Sequence, residues 1–242
     1  MVMTKQCSMP SDSVKKSSFE EAKKFHKKSS YGFFVQEIPM LMETRLGMQD
    51  KVPQSLNQRG LANLLQARKS TREFVTRLCT KSQLLDVLWA GYGRLTAYPE
   101  VEHRTVPSAG GLYPLHLCVY AMNVQGLEKG FYHYSNGDLS VISGPEIDSI
   151  CHHFHTKHIN YEKAAFVIFI VGDLGLVGGK YGERGYRYML LETGHVAQNM
   201  CLACVCLDIQ HISVGGFDDD SVNELLCSYQ QDFLCLYTLV GG

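Results

Sequence analysis

The chain has 242 residues, a formal net charge of −1, 45% apolar residues and 19% charged residues. That length suits one substantial domain with a real core plus a tail. The charge gives neither the basic excess of a nucleic-acid binder nor an acidic tail for a basic partner.

Residues 1 to about 55 are rich in Lys, Ser and Met, with one charged helical stretch around Phe19–His26. They read as an arm that is partly ordered, with a compact domain over residues 56–242. The first residues have no apolar core of the kind a signal peptide needs, so a cytoplasmic location is expected. Leu61, Leu64, Leu65 and Arg68 have helical spacing. Ser82 is expected to N-cap a helix through Leu84, Leu85, Val87, Leu88 and Trp89 that stops at Gly91 and Gly93. Pro107–Pro114 reads as a loop and Leu115–Met122 as a strand. Phe131–Tyr134 and Leu139–Ile142 flank Ser-Asn-Gly-Asp, a hairpin signal. A surface helix is expected over Pro145–His158, a buried strand over Phe166–Val171 and a long apolar helix over Tyr186–Leu207. Val214–Asp220 is a loop, Ser221 starts a short helix, and Asp232–Val240 is a final strand. Helices and strands mix without a regular βαβ alternation, which makes the class α+β. The longest apolar run, Ala164–Val171, is strand-length and too short to cross a bilayer, so no membrane association is expected. The nine cysteines sit mostly in apolar segments and read as buried reduced thiols. Cys201 and Cys204 fall within the helical apolar pattern, and no second Cys/His pair completes zinc spacing, so no metal site is expected.

Several nucleotide and hydrolase motifs are missing. Gly91-Tyr-Gly93 lacks a third glycine and follows no strand, and neither a G-x-x-x-x-G-K-[ST] nor a G-x-S-x-G pattern occurs. Four segments carry usable chemistry. Arg68-Lys69-Ser70-Thr71-Arg72 offers three cations and two hydroxyls within five residues, a set suited to a phosphate monoester, though a solvated basic helix end reads the same way. Pro107-Ser108-Ala109-Gly110-Gly111 and Gly215-Gly216-Phe217-Asp218 let backbone approach a ligand closely, or are ordinary turns. Lys180-Tyr181 opens a stretch of Lys, two Arg and three Tyr in nine residues. A Lys beside a Tyr in an apolar pocket can share a proton, because burial lowers the amine pKa; a polar helix start with aromatic packing is the plainer alternative. The histidines at 152, 153, 155 and 158 read as a solvated helix face.

These segments, in this order, resemble the nitroreductase-like flavoproteins and, more closely, the SagB-type azoline dehydrogenases, which include oxidases of thiazole/oxazole-modified peptide pathways. The likeness covers about residues 60–242. It rests on Arg68–Phe74, Leu88–Gly93, Arg104–Pro114, Gly130–Tyr134, Lys180–Tyr188 with Leu191–Asn199, and Gly215–Asp220. It implies an intertwined homodimer around a mixed or antiparallel sheet, with FMN as cofactor. Arg68, Lys69, Ser70 and Arg72 would then hold the phosphate and ribityl chain, and Pro107, Ser108, Ala109 and Gly110 would line the flavin ring from the partner subunit. Backbone at Gly215 and Gly216 would approach flavin N5, and Lys180 and Tyr181 would be the catalytic pair. The long helix would form much of the dimer interface. The family usually places another cation on the phosphate near the C-terminus, whereas this sequence stops at Gly241-Gly242. Either the Arg68 cluster suffices, a further piece belongs to the protein, or FMN binds more weakly. The implied reaction is dehydrogenation of thiazoline or oxazoline to thiazole or oxazole in a peptide or carrier-bound substrate, in company with a cyclodehydratase complex. The alternatives are an NAD(P)H-dependent nitro- or quinone reductase and a non-catalytic scaffold subunit.

Overall fold

The computed structural model describes residues 20–29, 60–95, 102–142, 150–226 and 232–242. Its frame is a six-stranded sheet built from β2 (Leu115–Ala121), β4 (Gly130–Ser135), β5 (Asp138–Val141), β6 (Phe166–Asp173), β7 (His211–Val214) and β8 (Phe233–Gly241). The spatial order is β5-β4-β2-β6-β8-β7, and every neighbouring pair is antiparallel. Two short strands, β1 (Cys79–Thr80) and β3 (Val124–Gln125), pair parallel at the side. β6 is apolar on both faces because it lies between two layers of core, and its residues from Phe166 to Val171 are buried throughout. The β4–β5 turn places Asn136 at φ 52° and Gly137 at φ 81°. Those two positive values are what a two-residue hairpin needs to match strand twist, so the Asn-Gly signal predicted the turn for a physical reason.

Six helices complete the described chain: α1 (Glu20–Ser29), α2 (Leu61–Ala67), α3 (Lys81–Tyr92), α4 (Leu174–Tyr181), α5 (Arg184–Cys206) and α6 (Asp219–Leu226). α3 and α5 cover one sheet face, with Leu84, Leu88, Met189, Val196 and Met200 packed on Leu115, Leu117 and Ile168. The other face packs Phe74, Phe154, Tyr161, Phe217 and α6 against Val167, Phe169 and Val240. α5 is about 34 Å long at 1.5 Å per residue and spans the domain. The architecture is therefore α+β, as the mixed element order implied.

Three local expectations change. The N-cap of α3 lies two residues before Ser82, because Thr80 accepts from the Gln83 N–H at 3.2 Å while Gln83 Oε1 accepts from the Thr80 N–H at 3.0 Å. This reciprocal box satisfies two helix-end donors, which Ser82 would have left exposed. Gly91 lies inside α3 rather than ending it, and its missing side chain lets α5 approach. The helix expected over Pro145–His158 is reduced, in its described part, to a 3₁₀ turn at Ile150–His153. Phe154 instead bridges Phe217 and stacks on Tyr161 at 4.6 Å, so burial of one aromatic ring overrides helical spacing. α6 starts at Asp219, with Asp218 accepting from the Ser221 N–H at 2.7 Å. α1 is the charged helical stretch expected near Phe19; Ala22 and Glu183, Lys23 and Asp232, and His26 and Tyr186 tie it to the rest. The expected arm–domain boundary near residue 56 falls outside the described residues.

No described helix is long and apolar enough to cross a membrane. None of the described cysteines forms a disulfide. Burial raises the thiol pKa values of Cys201 and Cys204 on α5, which fits inert core sulfur.

A methyl at Gly91 would meet Met200 Cγ at 2.6 Å. Gly91→Ala is therefore expected to destabilise the fold by about 1–3 kcal/mol through overpacking. Thr80→Ala should cost about 1 kcal/mol and Ser82→Ala less than about 0.5 kcal/mol. Urea unfolding of the three variants checks the order, and a Ser82→Ala loss as large as that of Thr80→Ala would contradict the capping assignment.

Candidate active site

β6 runs into α4, and α4 turns at Gly182 into α5, so Lys180 and Tyr181 stand at a helix elbow above the end of the sheet. The loop before β2 comes to meet them. The Lys180 ammonium reaches the Gly110 carbonyl at 3.4 Å. Gly110 has φ +61°, and a Cβ there would collide with both the Tyr181 hydroxyl and the Lys180 ammonium. Only a glycine lets the backbone pass this close to the pair. The Tyr181 ring packs edge-on to Tyr188 at 5.0 Å. The apolar pocket expected around the pair is not made by one chain: Lys180 is exposed and Tyr181 half-buried.

The same loop is fixed from behind. Glu192, on the inner face of α5, is only 3% exposed. Its Oε2 accepts from the Ser108 hydroxyl at 2.6 Å and its Oε1 from the Tyr92 hydroxyl at 2.7 Å. Ser108 Oγ in turn accepts from the Tyr113 N–H at 2.9 Å, and the Tyr92 oxygen accepts from the Leu115 N–H at 3.1 Å. One carboxylate thus ties α5, α3 and both ends of the Ser108–Leu115 segment. Glu192 falls within the Leu191–Asn199 segment, where the sequence alone gives it no role. Its signal was a carboxylate at helical spacing with Met189 and Val196, on the face that had to be buried.

The remaining expected residues lie elsewhere. Arg68 ends α2 and sits close enough to Cys201 and His211 to bear on their ionisation. The Thr71 N–H donates to the His211 carbonyl at 2.8 Å, which joins the basic segment to β7, four residues before Gly215. Lys69, Ser70 and Arg72 point their exposed side chains to solvent. Gly215 is exposed, with room for a Cβ at 3.5 Å from the Tyr237 ring, and the Gly216 carbonyl accepts from the His155 N–H at 2.9 Å. Glu192 and Cys201 mark the two groups along α5, and nine residues of helix separate them by about 13 Å. Ser108, Gly110, Lys180 and Tyr181 therefore gather in one group, and the Arg68 segment is joined to β7, which leads into Gly215 and Gly216, in another. Pro107 and Ala109 belong to the first.

Among the described residues, no group of three or more His, Cys, Asp and Glu side chains could hold a metal. His153 is engaged with Ser221 instead.

The fold is an α+β architecture on a six-stranded antiparallel sheet flanked by helices. Residues 65–242 match the nitroreductase family, and the chain belongs to it. A Methanocaldococcus jannaschii protein named as a nitroreductase, MJ1384, is 34% identical over 168 residues, covering 69% of this chain and 83% of its own. Among solved structures, the Escherichia coli microcin synthetase McbBCD complex with truncated pro-MccB17 bound contains a chain with TM-score 0.69 and 20% identity, covering 92% of this chain and 91% of that one. A Ralstonia eutropha nitroreductase-type structure gives TM-score 0.64 and 21% identity over 81% and 87%. At those identities the two structures speak for the fold alone.

FMN is the typical cofactor of this family, and the residues present fit it. The Arg68–Arg72 segment offers two guanidiniums and an ammonium within five residues for a phosphate. Beside it, His211 is 3% exposed, and its Nδ1 lies 3.1 Å from the Ile209 carbonyl, so Nδ1 carries the hydrogen. Burial, together with the Arg68 charge, lowers the His211 pKa and keeps the ring neutral. Its Nε2 lone pair has no partner among the described residues. A sugar-alcohol hydroxyl is the type of donor that satisfies such an acceptor.

Burial is the largest influence on Glu192 and holds its carboxyl above the ordinary 4.5, against the opposing pull of Ser108, Tyr92 and Arg104. A carboxyl raised in the folded state contributes stability that is full below its unfolded value. That stability is lost as pH rises through the raised value. Glu192→Gln cannot titrate and should flatten the decline. Unfolding midpoints of both proteins across that window check this, and an unchanged slope in the variant would contradict it.

Proposed function

We propose that the chain is an FMN-dependent azoline dehydrogenase that oxidises thiazoline or oxazoline rings in a peptide-like substrate. The observation that carries this reading is the convergence of Lys180 and Tyr181 on the Gly110 backbone, in the loop that would line the flavin. General nitroreductase chemistry needs a flavin cradle but no paired amine and phenol beside it. The fold shared with a microcin synthetase chain adds support from a complex that has a pro-peptide bound.

The working unit is a homodimer. One chain's half-sites are set about 13 Å apart along α5. A second copy with its α5 antiparallel to the first would set the Arg68 and Gly215–Gly216 half of one chain against the Ser108–Gly110 and Lys180–Tyr181 half of the other. The exposed apolar side chains Leu61, Leu65, Leu190 and Leu191 on α2 and α5 suit that contact. Closure by the partner would also remove water from Lys180.

FMN, when bound, supplies the acceptor for two electrons and a hydrogen at N5. The protein's residues do the rest. Arg68, Lys69, Ser70 and Arg72 neutralise and orient the phosphate, and the backbone at Gly215 and Gly216 approaches the ring. The Lys180–Tyr181 pair takes the proton from the azoline carbon that bears the carbonyl. With FMN bound, the neighbouring ring carbon would give up a hydride, so the ring would lose two hydrogens in all and become aromatic. Aromatisation supplies driving force; alignment and a placed base are the protein's task. Glu192 keeps Ser108 and Gly110 where the pair can meet the ring.

Lys180→Ala with Tyr181→Phe should retain FMN, judged by its visible spectrum, and lose about 10²–10⁴-fold in azoline turnover, the usual worth of a general base. Near wild-type turnover would remove the assignment. A second reading, an NAD(P)H-dependent nitroreductase, is favoured by the name of the 34%-identical relative. It predicts rapid NADPH bleaching of the flavin and nitroarene turnover that survives both substitutions.

A further inference from the structure

Beyond the flavin half-sites, a cleft of about 500 Å³ opens between the end of α3 and the β2–β4 end of the sheet. Its wall carries Arg94, Arg104, His116 and His133, and none of its lining residues is Asp or Glu. Arg104 is the centre of the charge. Its guanidinium lies 4.3 Å from the Tyr92 ring centroid and 5.2 Å from that of Tyr113. Such stacking holds the planar cation with its donors turned outward. Burial lowers the pKa of both imidazoles, with His133 and then Arg104 adding to the effect at His116 against the opposing charge of Asp173, so the histidines act as neutral hydrogen-bonding walls.

The chain itself shows what these guanidiniums prefer. Glu102 presents one carboxylate oxygen to both, at 2.6 Å from Arg104 and 3.3 Å from Arg94. Arg94 is far more exposed than Arg104, with side-chain exposures of 62% and 19%, so the pair is open to solvent on the Arg94 side. The cleft also communicates with the reaction centre. Tyr92 lines it and donates to Glu192, the carboxylate that holds Ser108.

We propose that this cleft binds an acidic segment of the peptide substrate, with a Glu or Asp carboxylate taking the place of Glu102 on the Arg94–Arg104 pair and the peptide lying along Trp89. The carboxylate of Glu102 already fits this guanidinium pair, which makes a peptide carboxylate the matching ligand. The aromatic and imidazole walls suit the flanking peptide, since such rings pack against backbone and keep polar tips for hydrogen bonds. Substrate use of the cleft rests on the azoline reading above; carboxylate binding does not.

Trp89 makes the test direct. It is the only tryptophan in the sequence, is 51% exposed and lines the cleft. The FMN-loaded full chain is titrated with a capped Gly/Ser peptide carrying two Glu residues, and with the same peptide carrying Gln, while Trp89 fluorescence is followed. The Glu peptide should give a saturable change. The Gln peptide, and the Glu peptide on Arg94→Ala, should bind about tenfold more weakly, the loss expected for a hydrogen bond to a charged group. Glu102→Gln removes the internal competitor and should tighten binding several-fold. Equal binding of the two peptides, or indifference to both substitutions, would overturn the proposal. Turnover of an azoline peptide with a Glu flank then separates the two readings. Arg94→Ala should raise KM and leave kcat unchanged. Glu-selective binding without turnover would remove the azoline reading and leave the cleft; turnover with equal KM for Glu and Gln flanks would do the reverse.

Discussion

Glu192 accepts two hydroxyl hydrogens on the largely apolar inner face of α5, and the geometry of the site follows from that bond pair. A buried carboxylate is expensive to desolvate unless its oxygens are satisfied. Here the Ser108 and Tyr92 hydroxyls satisfy them, each in turn accepting a backbone N–H from the segment that leads into β2. The loop therefore cannot drift without stranding a charge. Its position brings Gly110 beneath Lys180 and Tyr181, and the left-handed glycine leaves just enough room for both side chains. Core packing, loop conformation and the placement of two reactive groups are thus one arrangement.

The other consequence is incompleteness. A single chain carries a cation segment and a glycine pair at one station along α5, and an amine, a phenol and the Ser108–Gly110 loop at another. Neither half encloses a ligand by itself, and Lys180 stands exposed. A two-fold partner is the simplest way to bring unlike halves together, because a symmetric contact makes two complete sites at once. In the proposed dimer the long helix would serve as the ruler, since its rise per residue sets the spacing a partner has to match.

Much of this was legible in the sequence. The Asn-Gly hairpin, the buried strand β6, the long helix and the ordered motifs at Arg68, Ser108, Lys180 and Gly215 each carry a local signal. What was not legible depended on contacts distant in the chain. Thr80 outcompetes Ser82 as a cap because Gln83 completes the box. Phe154 leaves its helical pattern because Tyr161 and Phe217 bury its ring. Gly91 stays helical because Met200 fills the space beside it. Glu192 looked like one more motif residue until Tyr92, a hundred positions away, arrived at its oxygen. The charged cleft around Arg104 was invisible for the same reason, since its walls come from α3, the segment before β2, and two strands.

The central claim is that an amine–phenol pair beside a flavin draws two hydrogens from an azoline ring. Its most direct measurement is a single half-reaction in the absence of air, in which a thiazoline peptide is added to the FMN-loaded protein and the visible flavin band is followed. The account predicts bleaching in step with formation of one thiazole per flavin, and recovery of the band on admitting oxygen. A flavin that keeps its colour with the azoline bound would contradict it.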